Sequence, residues 1–507
     1  MTTTTDDSDY NLALRFLDPP PGERTALVTA AGATTYAQLR AMVGRVGNAL
    51  RARGVGKGDR VLISLRDGVA YLATWYAAQR IGAVTVDLCN FLPPDDYSHY
   101  DGYVEPAIIV TDGDALGAFR AGGVRGMAVL PPYSGALRAD EIDFQALVDA
   151  QSAELTATPM AAGDEAIWKL TTGSTGKPKA CRHVARSPWL SHRWFAEDVL
   201  GLGPDDVIMP VPKMFSGWAR DLVALYAMGA GASAILYPER TTPELIFELV
   251  ARHRPTVLVN VPTMMKSMLA HPEAKKADLS SLRMCLSAGE QLPVELHRRW
   301  LDTFGVEVLD CVGSSEAFNA IICNRPGQVR FGSLGQIIPH YEAHVTDEHG
   351  RPLPDGEVGV LQVTGEPVAR DYWKAPEKTA ATFPSPGTLR TGDLFTRDAD
   401  GYYYYRGRAD DLLKVGGMYV APTEIENCLL THPAVITCAL VGFTTPDGLT
   451  STRAHVVVSR PVPAAELQEY VKTRLSPHKY PREIRFAESL PETPTGKIDR
   501  NALRARD

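Results

Sequence analysis

Between residues 36 and 310 short apolar runs alternate with stretches of helical periodicity, and this rhythm constrains the fold more than any other feature. Leu39, Met42, Val43, Val46 and Leu50 fall on one helical face, and Gly54 closes it. Val61-Leu62-Ile63 then reads as a buried strand. A helical stretch over 70–81 ends at Gly82, and Ala83-Val84-Thr85-Val86 is the next strand. Further apolar runs stand at 108–110, 207–209, 234–237, 257–261, 282–286 and 306–309, with helical stretches at 243–253 and 293–304 among them. That alternation builds parallel sheets covered by helices, an α/β architecture.

After Gly332 the texture changes to short strands punctuated by Gly and Pro, at 342–346, 358–363 and 401–405. These predict a small β-rich subdomain over 331–408. A last unit starts near Asp410, with a helix at 422–430, strands at 437–441 and 454–458, and a helix at 464–475. It reads as a compact α+β domain. A chain of 507 residues exceeds one ordinary core, so several domains are expected.

The net charge of −8, with no long basic run, argues against nucleic acid or an anionic membrane as the main partner. No segment approaches the roughly 18 uninterrupted apolar residues of a membrane span. The start is polar and rich in Thr and Asp, unlike a signal peptide. The seven cysteines are odd in number, scattered and without a C-x-x-C, which fits reduced thiols in a cytoplasmic protein.

Chemistry enters at Leu170-Thr171-Thr172-Gly173-Ser174-Thr175-Gly176-Lys177-Pro178-Lys179. Such a segment offers backbone amides, hydroxyls and positive charge to one small volume, which suits a polyphosphate. The same composition also describes a surface loop. It is not a P-loop, because Gly173 and Gly176 are only three apart and Pro178 follows Lys177. Ser174 and Lys177 match S-x-x-K, but the companion S-D-N and K-T-G motifs are missing.

Five more segments have compositions that folding alone explains poorly. They are Ser287-Ala288-Gly289-Glu290, Asp310-Cys311-Val312-Gly313-Ser314-Ser315-Glu316, Arg390-Thr391-Gly392-Asp393, the run 406–414, and Pro494-Thr495-Gly496-Lys497-Ile498-Asp499-Arg500. The first two follow buried strands, where open α/β sheets bind their ligands. In this order the six segments resemble the AMP-forming adenylating superfamily of acyl- and aryl-CoA synthetases, peptide-synthetase adenylation domains and luciferases. The resemblance runs from about residue 25 to 505. Within the superfamily the chain is most similar to benzoate-CoA ligases and their aryl-CoA relatives. That likeness lies in Pro212-Lys213-Met214-Phe215, Val261-Pro262-Thr263, the run 281–290, Gly313-Ser314-Ser315-Glu316, the run 413–420 and Pro477-His478-Lys479-Tyr480-Pro481.

The resemblance implies a two-step reaction. An aryl carboxylate attacks the α-phosphorus of ATP, with Mg²⁺, to give an acyl-adenylate and pyrophosphate; a thiol, commonly that of coenzyme A, then displaces AMP. By the same resemblance Thr171, Thr172, Gly173, Ser174, Thr175, Gly176 and Lys179 would embrace the β- and γ-phosphates. Ser315 would donate to the α-phosphate and Glu316 would bind Mg²⁺. Asp393 would accept the ribose hydroxyls with help from Arg408, while Ala288, Gly289, Glu290 and Asp310 would border the adenine. Lys497 would span the carboxylate and the α-phosphate. The resemblance divides the chain into an N-terminal domain over 1–408, a hinge at 409–411 centred on Asp410, and a mobile C-terminal domain over 412–507. Rotation at the hinge would exchange Lys497 for a thiol tunnel bearing Lys414, Gly416 and Gly417.

Three positions depart from the family pattern. Ala180 stands where a glycine is common, and Ser315 where a threonine is usual. Asn319 replaces the histidine that benzoate ligases tend to carry. With Phe215 and Trp218 it would line the acid pocket, and an amide that donates and accepts favours an aryl acid bearing a hydroxyl or amino group. Two alternatives share the first step: delivery of the acyl group to the phosphopantetheine of an acyl carrier protein, or to a non-thiol acceptor such as an amine or nitrite. Retention of Glu316, Asp393, Arg408 and Lys497 argues against a non-catalytic scaffold.

Overall fold

The computed structural model describes residues 9–172, 178–415, 418–445, 447, 450–476, 479–491 and 498–505. By its contacts the chain forms two compact units. The first comprises 1–292, 298–342 and 363–389; the second comprises 293–297, 343–362 and 390–507. The architecture is mixed α/β, with a large N-terminal domain and a small C-terminal one.

Two large sheets build the first unit. One runs, in spatial order, Asp371–Tyr372, Pro178–Val184, Glu165–Thr172, Val84–Asp87, Arg60–Ser64, Ile108–Asp112, Ala128–Leu130 and Ile142–Asp143. From Glu165–Thr172 onward neighbouring strands are parallel. The other sheet has nine strands, parallel from Val308–Gly313 through Met284–Ser287, Val257–Asn260, Val207–Pro210 and Ser233–Ile235 to Thr25–Thr29. The apolar runs seen in the sequence are these strands. Val61, Leu62 and Ile63 are wholly buried, as a parallel strand covered on both faces requires.

The helices follow the expected periodicity with one exception. Tyr36–Ala52 buries Leu39, Val43, Val46 and Leu50, whereas Met42, expected on the same face, lies at its edge and is exposed. The start of this helix is fixed by a capping box in which Thr35 and Gln38 satisfy each other's backbone N–H groups. Val69–Arg80 is buried over most of its length, including Trp75 and Tyr76.

Each large sheet also carries an antiparallel hairpin next to one edge. Glu165–Thr172 pairs with Pro178–Val184, and the connecting residues 173–177 of the phosphate segment lie outside the described residues. Val308–Gly313 pairs with Ala320–Cys323, and the turn between them carries Ser315 and Glu316. Gly313 is needed here: a Cβ would fall 2.1 Å from the Asn319 carbonyl oxygen.

In the second unit, Asp393 and Arg408 sit directly opposite each other on the paired strands Thr388–Arg397 and Tyr403–Arg408. Further on, the three-stranded sheet Val435–Thr444, Thr450–Val458 and Glu483–Phe486 packs with the helices Pro422–Leu430 and Ala464–Lys472. Among the described residues no helix is long and apolar enough to cross a membrane.

Candidate active site

Parallel strands leave their C-terminal ends free to present side chains, and the residues expected to carry chemistry in the first unit lie at or just beyond such ends. Thr171, half-buried, is paired with Lys179 across the phosphate hairpin. Lys179 places its ammonium 4.9 Å from the ring centroid of Tyr372. The Tyr372 hydroxyl donates to Glu316 Oε1 over 2.6 Å. The main chain of Glu316 is also held, its carbonyl accepting from Ala369 N–H at 2.7 Å. The far limb of the phosphate hairpin is thus gathered beside the Glu316 carboxylate. Tyr372 is a site residue that the sequence motifs did not flag.

The same hairpin also holds the main chain of Ser315. His183 is fully buried, and its Nε2 lies 2.7 Å from the Ser315 carbonyl oxygen. Burial pulls the imidazole down to about 3, and the charge of Lys169 works in the same direction. The neutral ring therefore donates through Nε2–H.

Behind this turn lies a buried ionic network that the sequence motifs left out entirely. Lys169, on the strand leading into the phosphate segment, donates to Asp221 and to the carbonyl of Phe318. Arg220 donates to Asp221 at 3.0 and 2.7 Å and also to Asp87. Tyr71 joins Asp87 to the Met214 carbonyl. Two cations and two carboxylates balance, which is how such charges survive without water. Burial pulls the Lys169 ammonium down to about 8 despite its partner. Burial pushes the Asp221 carboxyl up, but Lys169 and Arg220 outweigh it and hold the carboxyl below the usual range.

Asn319 belongs to this network. It is 6% exposed, its Nδ2 donates to Asp221 Oδ2 at 2.7 Å, and its Oδ1 accepts from Ala320 N–H at 2.7 Å. Each end of the amide is thus held by a protein group. The ionised Asp221 demands N–H donors, so the amide is oriented from inside. Asp221 opens the π-helical turn Asp221–Ala227, directly after the helix Gly217–Arg220 that carries Trp218. Trp218 is half-buried, stacks on Phe195 with ring centroids 6.4 Å apart, and directs Nε1 at the Asn260 carbonyl over 3.4 Å. Phe215 packs edge-on against the exposed Phe91.

At the neighbouring strand ends, Ala288 is buried and Gly289 takes φ +86°. Glu290 accepts from Thr263 N–H at 3.1 Å and from its hydroxyl at 3.3 Å, at the start of the helix Pro262–Ala270. A carboxylate is favoured there by the helix dipole. Asp310 is 5% exposed, with Oδ1 lacking a hydrogen-bond partner, and burial pushes its carboxyl well above the usual range.

In the second unit Arg408 donates to Asp393 Oδ1 at 3.1 Å and to the Thr391 carbonyl at 3.3 Å. Asp410 is exposed in the 3₁₀ turn Ala409–Asp411. Lys414 lies on the strand Leu413–Val415, and nothing is described of its side chain. Gly416, Gly417 and Lys497 lie outside the described residues, as do Gly173, Ser174, Thr175 and Gly176. Three residues beyond Lys497, Arg500 grips Glu426 through two hydrogen bonds of 2.6 and 2.9 Å.

Family models of AMP-binding enzymes match residues 17–373, and of the AMP-binding enzyme C-terminal domain residues 424–497. The chain belongs to the AMP-binding enzyme family. It is 37% identical to a benzoate–CoA ligase of Thauera aromatica, over 96% of this chain and 93% of that one. A 3-hydroxybenzoate–CoA/4-hydroxybenzoate–CoA ligase of the same organism is 35% identical, over 95% and 94%. Among solved structures, the anthranilate CoA ligase AuaEII in complex with anthranoyl-AMP superposes with a TM-score of 0.91 at 30% identity, covering 98% of this chain and 97% of that one. Within the AMP-binding enzymes the chain is thus an aryl-CoA ligase type of acid–thiol ligase.

Proposed function

We propose that this AMP-binding enzyme activates an aromatic carboxylic acid with ATP to an acyl-adenylate and then transfers the acyl group to coenzyme A, releasing pyrophosphate and AMP. The acid is a benzoate-type ring bearing a hydroxyl or amino group. The observation that carries the reading is the meeting of the two chemistry hairpins: His183 holds the Ser315 carbonyl, while Tyr372 links Glu316 to Lys179. The relatives that act on hydroxybenzoate and hold anthranoyl-AMP support the ring substituent.

The first step gathers negative charge at phosphorus, so positioning and fixed positive charge do most of the work. Thr171 and Lys179, with the loop between them, would hold the departing pyrophosphate. Ser315 would donate to the α-phosphate. Asp393, oriented by Arg408, would accept the ribose hydroxyls, and Ala288, Gly289, Glu290 and Asp310 would border the adenine. Lys497 would bridge the attacking carboxylate and the α-phosphate, because an ammonium with three donors offsets the repulsion between two anionic oxygens.

The Glu316 environment fits Mg²⁺. Among the described residues no three His, Cys, Asp or Glu side chains cluster as a cage. Mg²⁺ is commonly held by one or two carboxylates plus substrate phosphates, which is the arrangement a lone Glu316 beside a phosphate loop would supply. When bound, the ion would neutralise phosphate charge. Asp410 would be the hinge separating the N-terminal residues 1–408 from 412–507, with Lys414, Gly416 and Gly417 serving the thiol step.

The test is mass spectrometry of reactions containing ATP, Mg²⁺, coenzyme A and a panel of benzoates, hydroxybenzoates, aminobenzoates and cinnamates. Hydroxy- or aminobenzoyl thioesters and AMP are expected. A clear preference for bare benzoate or a long alkyl acid would sink the ring assignment. AMP without a CoA thioester would redirect the acyl group to a carrier protein or an amine.

A further inference from the structure

The strand Glu165–Thr172 and the turn after Gly313 touch at one buried place that the proposed chemistry does not use directly. There the Lys169 ammonium donates to the Phe318 carbonyl and lies 3.7 Å from the centroid of the same residue's ring. Phe318 has φ +75°, a left-handed conformation that bulky side chains resist and that persists only when its surroundings hold it. The next residue, Asn319, is tied to the partner of Lys169, Asp221. A strand position in a core is ordinarily apolar, because an ammonium is costly to bury even when paired. Here the side chains of Lys169 and Asp221 are 4% and 0% exposed. What the pair secures is the strained residue two positions beyond Glu316.

We propose that Lys169 is a positioning residue: acting through Phe318 and Asp221, it fixes the Ser315–Glu316 turn against the strand that runs into the phosphate segment. The two hairpins are then set in register before any ligand arrives. This rests on the roles given above to Ser315 and Glu316. A shift of the turn by a fraction of an ångström would misplace both its donor and its carboxylate relative to the phosphates.

Two readouts on Lys169→Met test the idea. The first is hydrogen–deuterium exchange of the ligand-free protein. Ser314 N–H bonds to the Asn319 carbonyl, Ala317 N–H to Ser314 Oγ, and Ala320 N–H to Asn319 Oδ1. These amides should exchange at least about tenfold faster in the variant, while peptides of the distant strand Arg60–Ser64 stay unchanged. The second is the split between half-reactions. The kcat of acid-dependent ATP–pyrophosphate exchange should fall about 10- to 100-fold, as a misplacement of this size does elsewhere. The KM for the acid should stay within about threefold, and thioester formation from supplied adenylate near wild type. Lys169→Arg, which keeps the charge and a donor, should recover part of the loss.

Unchanged protection of the turn, or undiminished kcat in folded Lys169→Met, would overturn the proposal. So would a uniform acceleration of exchange across the whole unit, which would make Lys169 a general stabiliser. Should Lys169→Met not fold, Lys169→Met with Asp221→Asn removes both charges together and is read in the same two ways. A wild-type protein inactive with every acid would defeat the proposed function, and the exchange comparison would still decide the role of Lys169.

Discussion

Asn319 donates its amide to Asp221 over 2.7 Å, and Asp221 lies three residues beyond Trp218, so one buried carboxylate ties together both expected walls of the acid pocket. Removing the donor should be felt in the fold before it is felt in selectivity. Asn319→Ala is expected to cost about 1–3 kcal/mol, the usual penalty for stripping a buried charged group of a hydrogen bond. Asn319→Asp should cost more at neutral pH, because it sets a second carboxylate against Asp221. The gap between the variants should narrow on acidification, as protonation relieves the repulsion. Urea denaturation at several pH values measures both effects.

His183 gives the protein a signed response to acid. Its folded pKa of about 3 lies below the ordinary 6.5, so between those values the unfolded chain binds a proton that the native state refuses. The stabilisation is complete above pH 6.5 and is lost as pH falls toward 3, at up to about 1.4 kcal/mol per pH unit. Asp67, raised by burial to about 6, works with the opposite sign below that pH. It is common to wild type and His183→Phe and cancels in their difference. The difference in unfolding free energy between those two proteins should therefore shrink as pH is lowered from about 7 to about 4.

Tyr372→Phe removes the hydroxyl that donates to Glu316. The carboxylate then loses its orienting bond, and the Mg²⁺ concentration needed for half-maximal ATP–pyrophosphate exchange should rise about tenfold, as when a group that orients a metal-binding side chain is removed elsewhere. A Mg²⁺ titration of exchange checks this. An unchanged midpoint would separate Glu316 from the metal.

Arg500 and Glu426 clamp the chain just after Lys497, with side chains 24% and 9% exposed. Glu426 also accepts from Leu440 N–H at 2.6 Å, so its loss strips two donors at once. Glu426→Ala should lower stability by about 1–3 kcal/mol. Limited proteolysis should then cleave the C-terminal segment faster than in wild type.

Lys497→Ala should abolish carboxylate-dependent ATP–pyrophosphate exchange while sparing thioester formation from supplied adenylate. Isotope exchange and a coupled thiol assay separate the halves. Wild-type exchange in the variant would remove Lys497 from the first step.

The strands and helices were legible because their signals are local. Val61-Leu62-Ile63 is apolar on both faces of a covered strand, and the helix at 243–253 is observed at those same bounds, Pro243–His253. The hairpin turn holding Ser315 and Glu316 was legible as a motif after a buried strand. Tyr372 was not, since an aromatic in a Gly/Pro-punctuated stretch has no spacing that ties it to a glutamate 56 residues earlier.

By itself, then, the sequence determined the α/β rhythm, the order of the chemistry-bearing segments and the family they mark, all properties of residues within a few positions of one another. Tertiary structure alone decided how those segments are braced. Lys169 reaches a carbonyl 149 residues away and a carboxylate 52 residues away, and Asn319 turns inward to a partner 98 residues back. In the linear chain Lys169 and Asp221 look like surface polar groups and Asn319 like a pocket-lining amide. They became a buried, charge-balanced brace because the two sheets exclude water where their hairpins meet, and charges left there are stable only against one another.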